Sequence, residues 1–188
     1  MKKVRITVKN EVLEVLKNRR AIRKFKDEQI KDEELQAVLE AGTYAPTGKG
    51  TQSPLILAIQ NKEDIATLNR LSAEIMGVNP RPGTNPYYGA PTIIIVFSTS
   101  LAASEFLGVL DAASVITNML NAAYAIGLGS CWIHRAKEIF ELDEGKALLH
   151  KWGINEPVKG IASMALGYAD MPLPTPKPRR EGYTKIIK

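Results

Sequence analysis

The sequence is poor in cysteine and histidine, with one cysteine and two histidines among 188 residues. The single cysteine, Cys131, cannot form a disulfide within the chain. One cysteine and two histidines also fall short of a four-ligand structural zinc site, so we expect no bound metal. A domain of this length buries roughly 70% of its unfolded surface. We therefore expect a hydrophobic core to hold the fold together without a covalent or metal cross-link.

Long hydrophobic runs are also missing. No 18 consecutive residues are apolar, which argues against a membrane-spanning helix. The first ten residues, MKKVRITVKN, are basic but lack the apolar segment that follows the charges of a secretory signal. At 45% hydrophobic and 24% charged, the composition is that of a globular protein. We therefore expect a single domain over residues 1–188, located in the cytoplasm and not in contact with a membrane.

The common catalytic motifs are absent as well. The chain has no GxSxG, Walker A or GxGxxG sequence, and GKG at 48–50 is too short to indicate a phosphate loop. Cys131 and His134 are three residues apart, but a buried free cysteine is commoner than a Cys–His nucleophile pair. His150, near a predicted helix end, favours a structural role. If the protein is an enzyme, a bound cofactor is expected to supply the chemistry.

Positive charge is concentrated at the two ends of the chain. Residues 1–26 carry ten Lys or Arg against two Glu, residues 171–188 carry five against one, and residues 27–170 have a net charge of −7. The basic ends allow three interpretations: solvated tails, a nucleic-acid surface, or one site where both ends bind a small anion such as phosphate. Few aromatic residues, 6%, accompany the charges, which disfavours nucleic acid.

Hydrophobic periodicity and turn residues predict an alternation of helices and strands. Loops are expected at 44–54 and at 77–91, the second as a surface excursion. Four strands separated by helices indicate a three-layer α/β arrangement. Helices are predicted at about 11–18, 32–41, 61–76, 102–126 and 137–149, and strands at 55–60, 92–98, 129–133 and 160–169.

The helix at 102–126 is apolar almost all round. Its main apolar face is expected to contain Phe106, Val109, Leu110, Ala113, Ile116, Leu120 and Ala123. A narrow polar stripe follows Asp111, Ser114, Asn118 and Asn121. A helix of this kind is expected in the middle of something larger than one small monomer.

Five segments in order resemble the nitroreductase family of FMN-dependent oxidoreductases, from about residue 12 to 180. They are RRAIRKF, AGTYAPTGKGTQSP, GAPTIIIVF, DAASVITNMLNAAYAIGLGSCWI, and GYAD followed by KPRR. The resemblance implies an α/β (α+β) fold with a mixed sheet flanked by helices. It also implies an intertwined homodimer with FMN at the interface. The tail, 171–188, would contribute to cofactor binding or dimerisation.

The resemblance assigns the basic residues to the cofactor. Arg19 and Arg20 match the pair that holds the FMN phosphate and ribityl chain. Arg23 matches a position near the pyrimidine ring, where positive charge stabilises the reduced anionic flavin. Lys177 and Arg179 match the C-terminal pair on the same phosphate.

Two loops complete the implied site. Pro46, Thr47 and Gln52 match a segment that reaches the flavin from the other subunit. Gly50 stands where many members have Asn, which leaves the contact with the pyrimidine edge to backbone or neighbouring residues. Ala21 stands where the family usually has Ser, so one hydroxyl contact to the phosphate is lost.

The end of the strand at 129–133 is implied to lie beside the reactive face of the flavin. Trp132, Ile133 and His134 match this position, with the backbone N–H of His134 donating to flavin N5. Because that donor belongs to the backbone, we expect no catalytic side chain.

The activity implied by the resemblance is that of an NAD(P)H oxidoreductase. NAD(P)H would deliver hydride to the flavin and leave, and a nitroaromatic, quinone or similar acceptor would take its place in a ping-pong cycle. Three alternatives stay open: a flavin-binding protein without turnover, a family branch that performs dehalogenation or flavin breakdown, and a module that binds anions or nucleic acid through the basic ends.

Overall fold

The structure is a computed structural model that describes residues 8–77 and 85–188. The predicted excursion at 77–91 falls in part on residues 78–84, which lie outside the described residues, as does the segment 1–7. The rest of the excursion, residues 85–91, is described, and part of it is buried and not on the surface. Tyr87 is fully buried there, and its hydroxyl donates to Ser163 Oγ at 3.3 Å.

Six α-helices and four strands form the described part of the chain, close to the predicted bounds. The helices are α1 (Glu11–Asn18), α2 (Asp32–Thr43), α3 (Lys62–Ile75), α4 (Glu105–Ala125), α5 (Ala136–Glu141) and α6 (Asp143–Lys151). The strands are β1 (Pro54–Ile59), β2 (Thr92–Thr99), β3 (Gly129–Ile133) and β4 (Val158–Gly167).

The single helix predicted at 137–149 is wrong, because two helices occupy that stretch. Leu142 is in an extended conformation between them and ends α5. Gly145 in α6 comes so close to the Ile139 carbonyl oxygen that a Cβ there would overlap it. The glycine therefore lets α6 fold tightly against the end of α5.

The four strands form one sheet in the order β1-β2-β4-β3, and each neighbouring pair is antiparallel. The register between β2 and β4 shifts between Val96 and Phe97. An isolated parallel bridge joins Ala21 to Ser130 at the β3 edge, and an antiparallel bridge joins Phe25 to Ala169. The four strands themselves thus form an antiparallel sheet, and the first bridge adds one parallel contact at its edge.

Helices cover both faces of the sheet, which confirms the three-layer arrangement. The β-branched run of β2 is buried on both sides, as a central strand requires. Ile93, Ile95 and Phe97 pack in one cluster with residues of α3 and α5, including Leu68 and Ile139. Ile94 and Val96 pack in a second cluster with residues of α2 and α4.

The predicted apolar face of α4 is confirmed in its C-terminal half, where Ile116, Leu120 and Ala123 are buried, and is wrong in its N-terminal half. Its buried side includes Gly108, Asp111 and Ala112, whereas Phe106 is 71% exposed and Leu110 45% exposed. Within the described ranges, α4 is also the one helix long and apolar enough to cross a bilayer. Its burial against strands and α2 accounts for part of that composition, and the exposed apolar residues account for the rest.

Candidate functional site

The basic segment after α1 is fixed to the sheet by its backbone. The Ile22 N–H donates to the Ser130 carbonyl at 2.9 Å, and the Asp170 N–H donates to the Lys24 carbonyl at 3.0 Å. Ile22 and Phe25 are buried, so these two apolar side chains anchor the segment in the core. The segment thus passes from β3 to the end of β4 and does not keep the two-residue alternation of a regular strand.

A cleft of about 1010 Å³ lies between this segment and the C-terminal tail. Arg19, Arg20, Ala21 and Arg23 line one side of it. The opposite side is lined by tail residues, including Lys177, Arg179, Arg180 and Tyr183. The structure therefore brings basic residues from both ends of the chain together, with Arg20 in the same cleft as Arg19 and Arg23.

The lining of this cleft is cationic, and within the described ranges no acidic residue contributes to it. Burial, together with the neighbouring charge of Arg20, lowers the pKa of Arg19. The Nη1 atom of Arg20 donates to the carbonyls of Lys17 and Arg19, at 2.8 and 2.6 Å. Its Nε atom is buried and has no hydrogen-bond partner among the described residues. A bound anion would satisfy that donor and relieve the repulsion between the guanidinium groups.

The end of β3 lies beside the basic segment. Cys131 is buried, and burial raises the pKa of its thiol, although the charges of Arg23 and Arg19 oppose that effect. A raised pKa disfavours the thiolate, which is the form in which a cysteine acts as a nucleophile. Trp132 and Ile133 end the strand, and His134 follows it in an exposed position.

The loop at 46–52 has an unusual backbone. Lys49, Gly50 and Gln52 have φ values of 58°, 67° and 50°, in the left-handed region that non-glycine residues rarely adopt. The Thr47 Oγ1 atom accepts a hydrogen bond of 3.0 Å from the Gln52 N–H. No Cβ contact would arise within 4 Å at Gly50, so open space surrounds the position where the resemblance leads one to expect Asn.

Pro46, Thr47, Gly50 and Gln52 do not line the basic cleft. Their loop leads into β1, which forms one edge of the sheet, whereas the basic segment is joined to β3 at the other edge. Three strand spacings separate these edges, about 14 Å. Within one chain, the structure therefore places the two groups of predicted site residues apart.

The sequence prediction missed the part that Asp111 plays in this region. Its carboxylate is buried and accepts hydrogen bonds from the Gly48 N–H, at 2.8 Å, and from Ser53 Oγ, at 2.7 Å. The signal available in the sequence was Asp111 as the one acidic residue beyond the first turn of a largely apolar helix. Arg180 and Tyr183 also line the cleft; Arg180 belongs to the basic tail and the KPRR segment, whereas Tyr183 had no signal in the sequence.

Known proteins resemble this chain over most of its length. A family model described as the nitroreductase family matches residues 16–168. A nitroreductase of Bacteroides fragilis, solved with bound FMN, is 31% identical, with a TM-score of 0.86 over 96% of this chain and all of that one. An FMN-bound nitroreductase of Desulfitobacterium hafniense has a TM-score of 0.84 over the same shares, at 23% identity. An Archaeoglobus fulgidus protein, provisionally named NADH dehydrogenase/NAD(P)H nitroreductase, is 26% identical over 160 residues, 84% of this chain and 85% of its own.

Proposed function

The chain belongs to the nitroreductase family, and from that premise we propose that it is an FMN-dependent NAD(P)H oxidoreductase that reduces nitroaromatic, quinone or similar acceptors in a ping-pong cycle. The observation that carries the proposal is the cationic cleft between residues 19–23 and the tail. A relative that is 31% identical over nearly the whole chain binds FMN.

The residues present in the cleft fit a phosphate-bearing cofactor. A phosphate dianion would pair with the guanidinium groups of Arg19 and Arg20 and with Lys177 and Arg179 of the tail. The buried Nε atom of Arg20 is an unused donor there. The volume of about 1010 Å³ is enough for a mononucleotide. Ala21 offers no hydroxyl, and the surrounding cations supply the donors in its place.

When bound, FMN supplies the redox chemistry: it accepts two electrons and a proton from NAD(P)H and passes them to the acceptor. The role of Arg23 is electrostatic, since its positive charge favours the anionic form of the reduced cofactor. The backbone N–H of His134, at the end of β3, is the donor we assign to flavin N5, with Trp132 and Ile133 beside it. No side chain is required to transfer a proton.

We propose further that the active form is a homodimer. The loop at 46–52 lies at the sheet edge opposite the cleft, so Pro46, Thr47 and Gln52 of one chain would complete the site of a second copy. The apolar side chains of Phe106 and Leu110 are exposed on α4, which is the surface expected of a subunit interface. The site is then incomplete in a monomer.

Steady-state oxidation of NADH and NADPH tests the activity, with a quinone and a nitroaromatic compound offered as separate acceptors. Turnover that requires both FMN and an acceptor supports the proposal. FMN binding without turnover would instead indicate a flavin-binding protein. If the protein binds no FMN but binds DNA in a salt-dependent way, the basic ends would instead be a nucleic-acid surface.

A further inference from the structure

We propose that Asp111 is a positioning residue whose buried carboxylate holds the strained loop 47–53 in the conformation that contacts FMN. The inference rests on the proposed function, because that function brings the loop to the cofactor. Asp111 does not itself line the cationic cleft, and its side-chain hydrogen bonds go to the loop, so we expect its effect on FMN to pass through the loop.

Both oxygens of the carboxylate are engaged by the loop. Oδ1 accepts from the Gly48 N–H at 2.8 Å, and Oδ2 accepts from Ser53 Oγ at 2.7 Å. Asp111 is 4% exposed. It therefore connects the two ends of the loop to the rigid helix α4, which is itself packed on the sheet.

The loop also lies directly on α4. A Cβ at Gly48 would lie 3.3 Å from Leu107 Cδ1, so the absence of a side chain lets the backbone approach the helix closely. Leu107 and Asp111 are four residues apart and hence neighbours on one face of α4. Contact with Leu107 and the hydrogen bond to Asp111 together fix the position of Gly48.

The conformation that Asp111 holds is strained. Lys49 and Gln52 are non-glycine residues with φ values of 58° and 50°, and such residues persist only where the surrounding structure imposes them. The Thr51 Oγ1 atom in the same loop is buried without a hydrogen-bond partner among the described residues. Removing both bonds from Asp111 should therefore let the loop relax to other conformations.

The side chain at position 111 can be varied in steps. Asp111→Ala removes both hydrogen bonds. Asp111→Asn keeps the size and one acceptor for the Gly48 N–H, and its amide can donate to Ser53 Oγ if that hydroxyl reverses. We expect the alanine variant to lose FMN affinity by about tenfold or more, with the asparagine variant recovering most of it.

Asp64 provides a matched control. It is also a buried carboxylate, 5% exposed, with two side-chain hydrogen bonds, from Lys151 and Trp152. It lies on α3 and does not contact the loop. Asp64→Ala should lower the thermal unfolding temperature and leave the FMN dissociation constant of the folded protein unchanged.

The experiment measures three quantities on wild type and variants: the unfolding temperature, the FMN dissociation constant by fluorescence titration of the apoprotein, and amide hydrogen exchange over 47–53 without FMN. We expect Asp111→Ala to accelerate exchange in the loop and to weaken FMN binding, and Asp64→Ala to do neither. If Asp111→Ala does not fold, Ser53→Ala removes one of the two bonds and should weaken FMN binding to a smaller extent.

Two results would overturn the inference alone: unchanged FMN affinity in a folded Asp111→Ala protein, or an equal loss of affinity in Asp64→Ala. A wild-type protein that binds no FMN would overturn the proposed function together with the inference. The two failures are thus distinguished by the wild-type titration.

Discussion

The backbone N–H of Arg23 lies 3.2 Å from the sulfur of Met171, across 148 positions of the chain. The next residue, Lys24, forms an ion pair of 2.5 Å with Asp170. The basic segment near the N-terminus therefore contacts residues 170–171, where the C-terminal tail begins. This meeting point brings two distant groups of cations to one cleft.

The tail cations provide the first prediction. Lys177 and Arg179 line the cleft, whereas Lys185 and Lys188 belong to the same tail and do not. Replacing Lys177 and Arg179 together by Ala should weaken FMN binding about tenfold or more, because charge-assisted contacts to phosphate are lost. Replacing Lys185 and Lys188 by Ala removes the same charge and should leave the FMN titration unchanged. Equal losses in both double variants would reduce the tail's role to general electrostatic attraction.

Arg23 is expected to act on the cofactor's charge. Arg23→Ala should weaken FMN binding or slow reduction of the bound flavin by NAD(P)H, because a positive charge near the pyrimidine ring is removed. Lys26→Ala is the control, since Lys26 follows in the same segment but does not line the cleft. Stopped-flow absorbance measures the reduction rate. An unchanged reduction rate together with unchanged flavin content would contradict the role assigned to Arg23.

Acid stability should depend on Asp64. Burial disfavours its charged form, but hydrogen bonds from Lys151 Nζ, at 2.6 Å, and Trp152 Nε1, at 2.8 Å, hold its pKa below the ordinary 3.8. Since the unfolded chain takes up this proton first, the stabilisation is complete above the unfolded-state pKa. It is lost as the pH falls through the lower folded-state pKa.

Urea unfolding at a series of pH values checks this assignment. Asp64→Asn should be less stable than wild type near neutral pH, and the difference should shrink below about pH 4. A difference that stays constant over the acid range would mean that Asp64 does not titrate as stated.

The close packing around Gly160 predicts that a larger side chain at this position lowers stability. A Cβ at this position in β4 would overlap the Ala136 carbonyl oxygen and lie 3.0 Å from the Phe140 ring. Because a backbone oxygen cannot move as a side chain does, Gly160→Ala should cost about 1–3 kcal/mol in unfolding free energy. Lys159→Ala, next to it with an exposed side chain, should cost much less. Comparable losses in chemical denaturation would contradict this account of the β4–α5 contact.

The sequence predicted the strands better than the face of α4. The run at 92–98 is short, apolar and β-branched, which favours a strand buried on both sides, and β2 is that strand. On α4, apolar residues occur nearly all round, so periodicity alone did not distinguish the exposed Phe106 from the buried Ala112. The break at Leu142 was also missed, because no glycine or proline marks it and the close approach of Gly145 to Ile139 is a tertiary contact.

The candidate site was predictable only in part for a similar reason. The basic residues of both ends were evident from the charge distribution, and the structure places some of them from each end, including Arg19, Arg20, Lys177 and Arg179, in one cleft. The role of Asp111 depends on hydrogen bonds to Gly48 and Ser53, about sixty positions away, which no local pattern encodes. The strain at Lys49 and Gln52 is equally invisible in the sequence, since neither residue type favours a positive φ.

We expect this chain to bind FMN and NAD(P)H to reduce the bound flavin. The most direct test is the visible absorption spectrum of the purified protein after incubation with FMN and removal of the free cofactor, repeated after NADH or NADPH is added under nitrogen. We expect the absorption bands of oxidised flavin on the protein and their loss when the reduced nicotinamide is added. A protein that retains no flavin, or whose flavin bands persist with both nicotinamides, would contradict it.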